Sequence, residues 1–427
     1  MSIAFGGMVA FFFRGVNLAV ALATVVFTTH LLSDDEYGLL VLSLSVIGLV
    51  NAATGGLTAA TAYQIANQQR ASGRAFAGAA GPAVLLGGLA AGIGLVASQS
   101  LGGDWGRVAL PIGLAAAGVV LNSAVAGVFL GRNLMLRYNL ALVAPPAFAL
   151  IGIGVIFLAI DERTPEAGLA MFAAGQWAAL AVLTLTARKT VFDGFALDRG
   201  LSGAVVRFAF VAGISSGLSY LNYRADLFVV DYFEGKSGAA TYSRAVYLAE
   251  SVWQVSGSLA LATYARVGSL GREEAAELTA RVMRHTVAML GLICIVLFAA
   301  ADVIAAFVFG DDGVASALRF ILPGVFLYGL AQSFSGFYTY QRGFPWVSAL
   351  VAGAGLILDM GFAFALVPAM GVDGASLASS LAYGLAISGA LVIFMRSERL
   401  SPARILRFGR EDLEDYRRLF RRLRALA

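Results

Sequence analysis

Apolar runs of about twenty residues recur along nearly the whole chain, separated by short polar breaks. Twenty residues of helix reach roughly 30 Å, the thickness of bilayer hydrocarbon. Lipid offers backbone groups no water, so each run must satisfy its own N–H and C=O groups as a helix. Composition agrees: 59% of residues are hydrophobic, 13% are charged, and the mean hydropathy is +0.80. A water-soluble domain has no means of burying that much apolar surface. The expected fold class is therefore an all-α polytopic membrane protein.

The runs place about twelve spans, at 8–32, 38–66, 76–98, 108–130, 140–160, 167–187, 207–233, 239–264, 282–309, 314–340, 346–368 and 373–395. The longest internal connection, near 188–206, separates two sets of six, so we expect an N-lobe over 1–195, a C-lobe over 196–395 and a tail over 396–427. Loops after even-numbered spans, together with the tail, hold 23 of the 30 Lys and Arg, whereas loops after odd-numbered spans hold only Arg107, Arg163 and Lys236. Positive charge collects on the cytoplasmic side of membrane proteins, which predicts that both termini are cytoplasmic. The first apolar run is long enough to span and shows no small-residue cleavage site, so it reads as a membrane helix.

The halves echo each other. Gly38-Leu-Leu-Val-Leu-Ser43 matches Gly238-Ala-Ala-Thr-Tyr-Ser243, Gly127-Val-Phe-Leu-Gly-Arg132 matches Gly336-Phe-Tyr-Thr-Tyr-Gln341, and Gly168-Leu-Ala-Met-Phe-Ala-Ala174 matches Gly374-Ala-Ser-Leu-Ala-Ser-Ser380. The offset stays near 200 to 209 residues. Six spans is an even number, so both halves enter from the same side and the repeat is parallel, a pseudo-two-fold along the membrane normal. Parallel halves that rock about a shared site are a transporter design.

Three segments resemble a known family. Ser33-Asp-Asp-Glu-Tyr-Gly38 is similar to the acidic-Tyr-Gly loop of polysaccharide flippases of the lipid-linked oligosaccharide, O-antigen type. Tyr223-Arg-Ala-Asp-Leu-Phe-Val-Val-Asp-Tyr-Phe233, followed by Gly238–Ser243, resembles the same family, and so does the turn Gly371-Val-Asp-Gly-Ala-Ser-Leu-Ala-Ser379. That family belongs to the MATE-like superfamily of drug and oligosaccharide-lipid exporters. The resemblance implies twelve helices in two lobes and movement of a lipid-linked oligosaccharide from the inner to the outer leaflet of the bacterial cytoplasmic membrane. It implies undecaprenyl diphosphate as the carrier. Related peptidoglycan-precursor flippases have two further helices, which counts against a lipid II role.

Four arginines, Arg14, Arg224, Arg244 and Arg319, lie inside apolar runs. A cation at the centre of a membrane helix costs about 2.5–3.5 kcal/mol on insertion scales, so each needs a partner or a wet cavity. Arg224 lies nine residues from the outer end of its span, about 14 Å deep, and is expected to grip a diphosphate with its two-pronged guanidinium or to pair with a carboxylate such as Asp231. Arg14, nearer the cytoplasm, is expected to recruit the headgroup or to snorkel to lipid phosphates. Arg244 is shallow, with snorkelling or a loop contact set against a cavity role. Arg319, close to Asp311 and Asp312, reads as an interface residue. Asn17, Asn51, Gln64, Asn122 and Tyr220 would wet a path for sugars. Asp226, Glu250 and Asp359 are deep carboxylates that either couple transport to H+ or Na+ by titrating or bond one helix to another.

Other features read as structural. Ser33 and Glu36 have capping-box spacing, which accounts for the acidic run Asp34–Glu36 better than a metal does. Cys294 reads as a small buried hydrophobe. The pairs Gly88/Gly92 and Gly213/Gly217 suit close helix packing. The tail repeats apolar residues at helical spacing and clusters Arg417, Arg418, Arg421, Arg422 and Arg424, which predicts an amphipathic helix on the anionic inner leaflet. No catalytic constellation appears, outer loops are short, and no cofactor is expected; the chain reads as a transporter and not an enzyme. A cation-coupled exporter of drugs or small metabolites is the competing function. Expected partners are the lipid-linked oligosaccharide, membrane lipids, and a polysaccharide polymerase or glycosyltransferases, with no nucleic acid.

Overall fold

The computed structural model describes residues 3–344, 346–406 and 412, and among them the regular elements are helices without a strand. In chain order they are α1 (Ile3–Leu31), α2 (Asp34–Thr54), α3 (Gly56–Ala66), α4 (Ser72–Ser100), α5 (Gly103–Gly131), α6 (Met135–Leu158), α7 (Pro165–Thr186), the short α8 (Arg188–Val191), α9 (Arg199–Ser251), α10 (Trp253–Ser269), α11 (Arg272–Ile304), α12 (Gly313–Gly336), α13 (Trp346–Ser397) and α14 (Pro402–Leu406). Single π-helical turns extend α11 and α12 at Ala305–Phe309 and Phe337–Gln341.

Among the described residues, ten helical stretches are long and apolar enough to cross a membrane. Two of these are too long for one crossing. Gly200–Ala260 has 61 residues and Trp346–Ser397 has 52. As straight rods they would reach roughly 90 and 80 Å, far beyond the hydrocarbon core. Each is interrupted by one glycine in the left-handed region, Gly235 (φ 73°) and Gly371 (φ 58°). Glycine adopts that region without the Cβ penalty of other residues. Side-chain pairing shows that the legs fold back. Tyr242 donates to the Asp226 carboxylate sixteen residues earlier, although a straight helix would hold the pair about 24 Å apart. Ser379 Oγ donates to Asp359 Oδ1 at 3.1 Å across twenty residues. With each long stretch counted as two legs, the twelve expected spans are present. The breaks at 235 and 371 fall between the expected spans 7 and 8 and spans 11 and 12.

The helix of span 2 is interrupted at Gly55, between α2 and α3, and that of span 8 at Val252, between α9 and α10, both with helical backbone angles. The two breaks are separated by close to the repeat offset.

The chain packs as two compact units, Met1–Arg244 with Val308–Gly310, and Ala245–Phe307 with Asp311–Ala427. The packing boundary lies later than the lobe boundary expected from the sequence near 195, because Leu201, Val205 and Ala209 of α9 join Leu57, Ala79 and Val120 in the core of the first unit. In that unit α5, rich in Ala and Gly, is almost wholly buried and touches α2, α3, α4, α6 and α7. The second unit is centred on Met283, Leu330, Phe334, Phe337 and Phe394. Ser33 and Glu36 form the expected capping box at the start of α2. The C-terminal arginine cluster lies outside the described residues.

Candidate functional site

A cavity of about 650 Å³ opens in the first unit beside the interruption at Gly55. Carboxamides from four helices meet it: Asn17 of α1, Asn51 of α2, Asn122 of α5 and Gln176 of α7. Thr58, Ser123, Tyr138 and Ser216 add hydroxyls, and no described residue lining the cavity carries a charge. Asn122 Nδ2 donates to the Gln176 main-chain oxygen at 2.9 Å and to its Oε1 at 3.1 Å, while Asn122 Oδ1 is buried with no hydrogen-bond partner. A buried amide oxygen left unpaired costs about 1–3 kcal/mol.

Two prolines enlarge this polar surface. Pro145 and Pro146 sit inside α6 and line the cavity with Ala141 and Leu142. Proline has no N–H, so the carbonyls four residues earlier lose their helical donors. Those carbonyls belong to Ala141 and Leu142. Tyr138, Gln176 and the proline pair were not singled out in sequence. The adjacent prolines inside an apolar span are the signal that marks them.

Arg14 lies one turn before Asn17 and is exposed. Among the described residues it has no carboxylate partner. The other intramembrane arginines are differently placed. Arg244 is 1% exposed; its Nη2 donates to Asp34 Oδ1 at 2.7 Å, its Nε donates to Thr29 Oγ1 at 3.4 Å, and it lies 4.8 Å above the Tyr37 ring. Arg319 Nη2 meets Asp302 at 2.6 Å over the Phe298 ring, so its partner is neither Asp311 nor Asp312. Arg224, half-buried on the first leg of α9, donates from Nη1 to the Tyr223 carbonyl at 2.7 Å.

The remaining candidates are scattered. Gln64 is buried on α3, apart from the cavity lining. Tyr220 seats its hydroxyl against Gly48, where a Cβ would fall 2.0 Å away. Asp226 is buried and accepts from Tyr242 and from the Leu227 N–H at 2.8 Å. Asp359 is fully buried beside Ser379, and Glu250 is half-buried near the end of α9.

Two of the three motif segments that carry the family resemblance, Ser33–Gly38 and Tyr223–Ser243, meet in the first unit, and the third, Gly371–Ser379, belongs to the second. Asp34 and Tyr37 enclose Arg244. A Cβ on Gly38 would lie 2.0 Å from the Lys236 carbonyl. Lys236 reaches Asp104, which also takes Arg107 at 2.9 Å, and Arg107 Nε lies 3.0 Å from Glu166. Arg163 pairs with Asp161 at 2.8 Å. All three exceptions to the charge asymmetry are thus neutralised by carboxylates.

No protein-family profile and no curated protein matches the sequence. Solved structures do resemble it. The lipid II flippase MurJ in an inward closed conformation matches with TM-score 0.74 at 12% identity, over 94% of this chain and 89% of that one. A multidrug resistance MATE family transporter of the MOP superfamily, inward-facing, matches with TM-score 0.68 at 16% identity, over 90% and 94%. A MOP superfamily transporter from Pyrococcus furiosus, described by a binding pocket of reverse polarity that suggests a different function, matches with TM-score 0.63 at 15% identity, over 92% and 94%. The protein is a multi-pass membrane protein with the fold shared by the MATE transporters of the MOP superfamily and the lipid II flippase MurJ.

Proposed function

We propose that this protein is a flippase that carries a lipid-linked oligosaccharide, held on undecaprenyl diphosphate, from the inner to the outer leaflet of the bacterial cytoplasmic membrane for cell-surface polysaccharide synthesis. The observation that carries this reading is the uncharged cavity ringed by Asn17, Asn51, Asn122 and Gln176. Carboxamides both donate and accept, as sugar hydroxyls do. Such a lining fits a neutral glycan better than a cationic drug, which calls for acidic groups. Arg14, exposed one turn before Asn17, supplies a cation for the diphosphate. Arg224 is the second candidate for that role. The fold shared with MurJ supports a lipid substrate, and the lysine and arginine distribution supports cytoplasmic termini.

In this reading the six-span halves, 1–195 and 196–395, alternate access, and no catalytic chemistry or cofactor is required. Asp226, Glu250 and Asp359 are the candidates for H+ or Na+ coupling, and a polymerase or glycosyltransferases are the candidate partners.

The test is glycan export in a strain lacking the chromosomal gene. The double variant Asn51→Leu/Asn122→Leu abolishes export at unchanged membrane abundance. Arg14→Ala and Arg224→Ala each lower it by about tenfold or more, the weight of one charge-assisted bond. Normal export in the double variant rejects the cavity as the glycan path. A second reading, cation-coupled export of drugs or small metabolites, draws on the buried Asp226 and Asp359. It predicts drug sensitivity on gene loss, with polysaccharide unaffected.

A further inference from the structure

At one end of the first unit, turns distant in sequence gather around the segment 187–198, which follows α7 and holds α8. The segment is seated firmly. Val191 is fully buried in a core shared with Phe129 and Leu183. Phe192 stands edge-on to Phe76, with 5.5 Å between ring centroids. The Gly73 N–H, at the start of α4, donates to the Asp193 carbonyl at 2.7 Å, and a Cβ on Gly73 would fall 2.7 Å from that oxygen. Arg132, between α5 and α6, donates from Nη2 to Asp193 Oδ2 at 3.1 Å. Arg137 of α6 donates from Nη1 to Thr190 Oγ1 at 3.4 Å.

This seating concentrates positive charge. Segments 67–74, 131–138 and 187–198 bring Arg70, Arg74, Arg132, Arg137, Arg188 and Lys189 against two carboxylates, Asp193 and Asp198. All six cations are exposed. Arg132 takes Asp193, and Asp198 caps α9 by accepting from the Leu201 N–H at 3.1 Å. Among the described residues the other five cations pair with no carboxylate. The same segment turns apolar groups outward: Phe195 is 48% exposed and Leu197 is 82% exposed. Guanidinium forks fit phosphate oxygens. A soluble phosphate or an acidic peptide would match the cations and leave Phe195 and Leu197 in water. A lipid surface takes both, with phosphates at the cations and acyl chains at the apolar groups. We propose that segment 187–198, with Arg70, Arg74 and Arg137 beside it, is a docking surface for anionic lipid headgroups in the leaflet that the charge distribution assigns to the cytoplasm. The surface serves whatever substrate the cavity of the first unit takes.

Native mass spectrometry of the full-length protein in detergent counts bound lipids as phosphatidylglycerol or phosphatidylcholine is titrated. Wild type binds phosphatidylglycerol more tightly. Arg188→Gln/Lys189→Gln weakens its tightest phosphatidylglycerol site by about thirtyfold, the weight of two cations at an anionic surface, and leaves phosphatidylcholine unchanged. Arg266→Gln/Arg342→Gln removes the same charge in the second unit and leaves that site intact. Leu197→Ser weakens both lipids, because its contact is with the chains. Asp193→Asn keeps the main-chain bond to Gly73 but releases Arg132, and tightens phosphatidylglycerol by about fivefold. Equal binding of the two lipids by wild type overturns the proposal, as does an equal loss in the Arg266/Arg342 control or a loss in Asp193→Asn. Competition by inorganic phosphate or by polyglutamate, with Leu197→Ser silent, overturns the lipid as occupant.

Discussion

Arg244 takes a cation deep into the protein with its company supplied from far away in sequence. Its partner Asp34 is 210 residues distant and 56% exposed, whereas the guanidinium is 1% exposed. The pair is therefore asymmetric. Removing Asp34 takes a charge partner from a buried cation, which is more damaging than leaving a carboxylate that water already reaches. Asp34→Ala should cost about 2–3 kcal/mol, less than the roughly 3–5 kcal/mol of a fully buried pair because of that exposure. The expected readout is a melting temperature lowered by several degrees in detergent, with Asp34→Glu recovering most of it. An unchanged melting temperature in Asp34→Ala would show that the other partners of Arg244 hold it without Asp34. The depth of all four arginines is legible from the runs around them. Their partners are not, because nothing local relates residue 34 to residue 244 or residue 302 to residue 319.

At the scale of elements, the same small-residue spacing has opposite consequences in two helices. A Cβ on Gly213 would lie 2.0 Å from the Ala53 carbonyl, and Gly217 also faces Ala53. Gly88 and Gly92 have nothing within 4 Å, so the packing expected of that pair is not made. Gly213→Ala should therefore cost about 1–3 kcal/mol by forcing a backbone to move. Gly92→Ala should be neutral or should stabilise by up to about 1 kcal/mol through helix propensity. Thermal unfolding of the two variants side by side checks the contrast, and equal behaviour would contradict it. The turns are a different matter. Gly371 has φ 58°, so Gly371→Ala should lose about 1–2 kcal/mol through left-handed strain, even though the substitution favours helix elsewhere. The glycine-rich turn at 371 was visible in sequence because it interrupts an apolar run. Which face of α4 packs was not visible, because all its faces are apolar.

For the molecule as a whole, the alternation of charge predicts an orientation, and the structure pairs each of its three exceptions with a carboxylate. The single cysteine makes this testable. In a Cys294→Ser background, single cysteines replacing Gly102 or Glu162 should react with a membrane-impermeant maleimide in intact cells. Cysteines replacing Gln68 or Ser269 should react only after permeabilisation. The reverse pattern would invert the topology.

The sequence by itself determined the number of spans, their breaks, the parallel repeat and the charge asymmetry. Each of these is local: a helix closes its own hydrogen bonds, and a glycine admits its own left-handed turn. Tertiary structure alone decided which amides share a cavity, which arginine is left beside it, and which glycines touch. In water an apolar stripe marks the inward face of a helix. In lipid both faces are apolar and the solvent is as oily as the core. Hydrophobicity then stops pointing inward, and only the packed neighbours, such as Gln176 bonded to Asn122 from 54 residues away, reveal which side of each helix works.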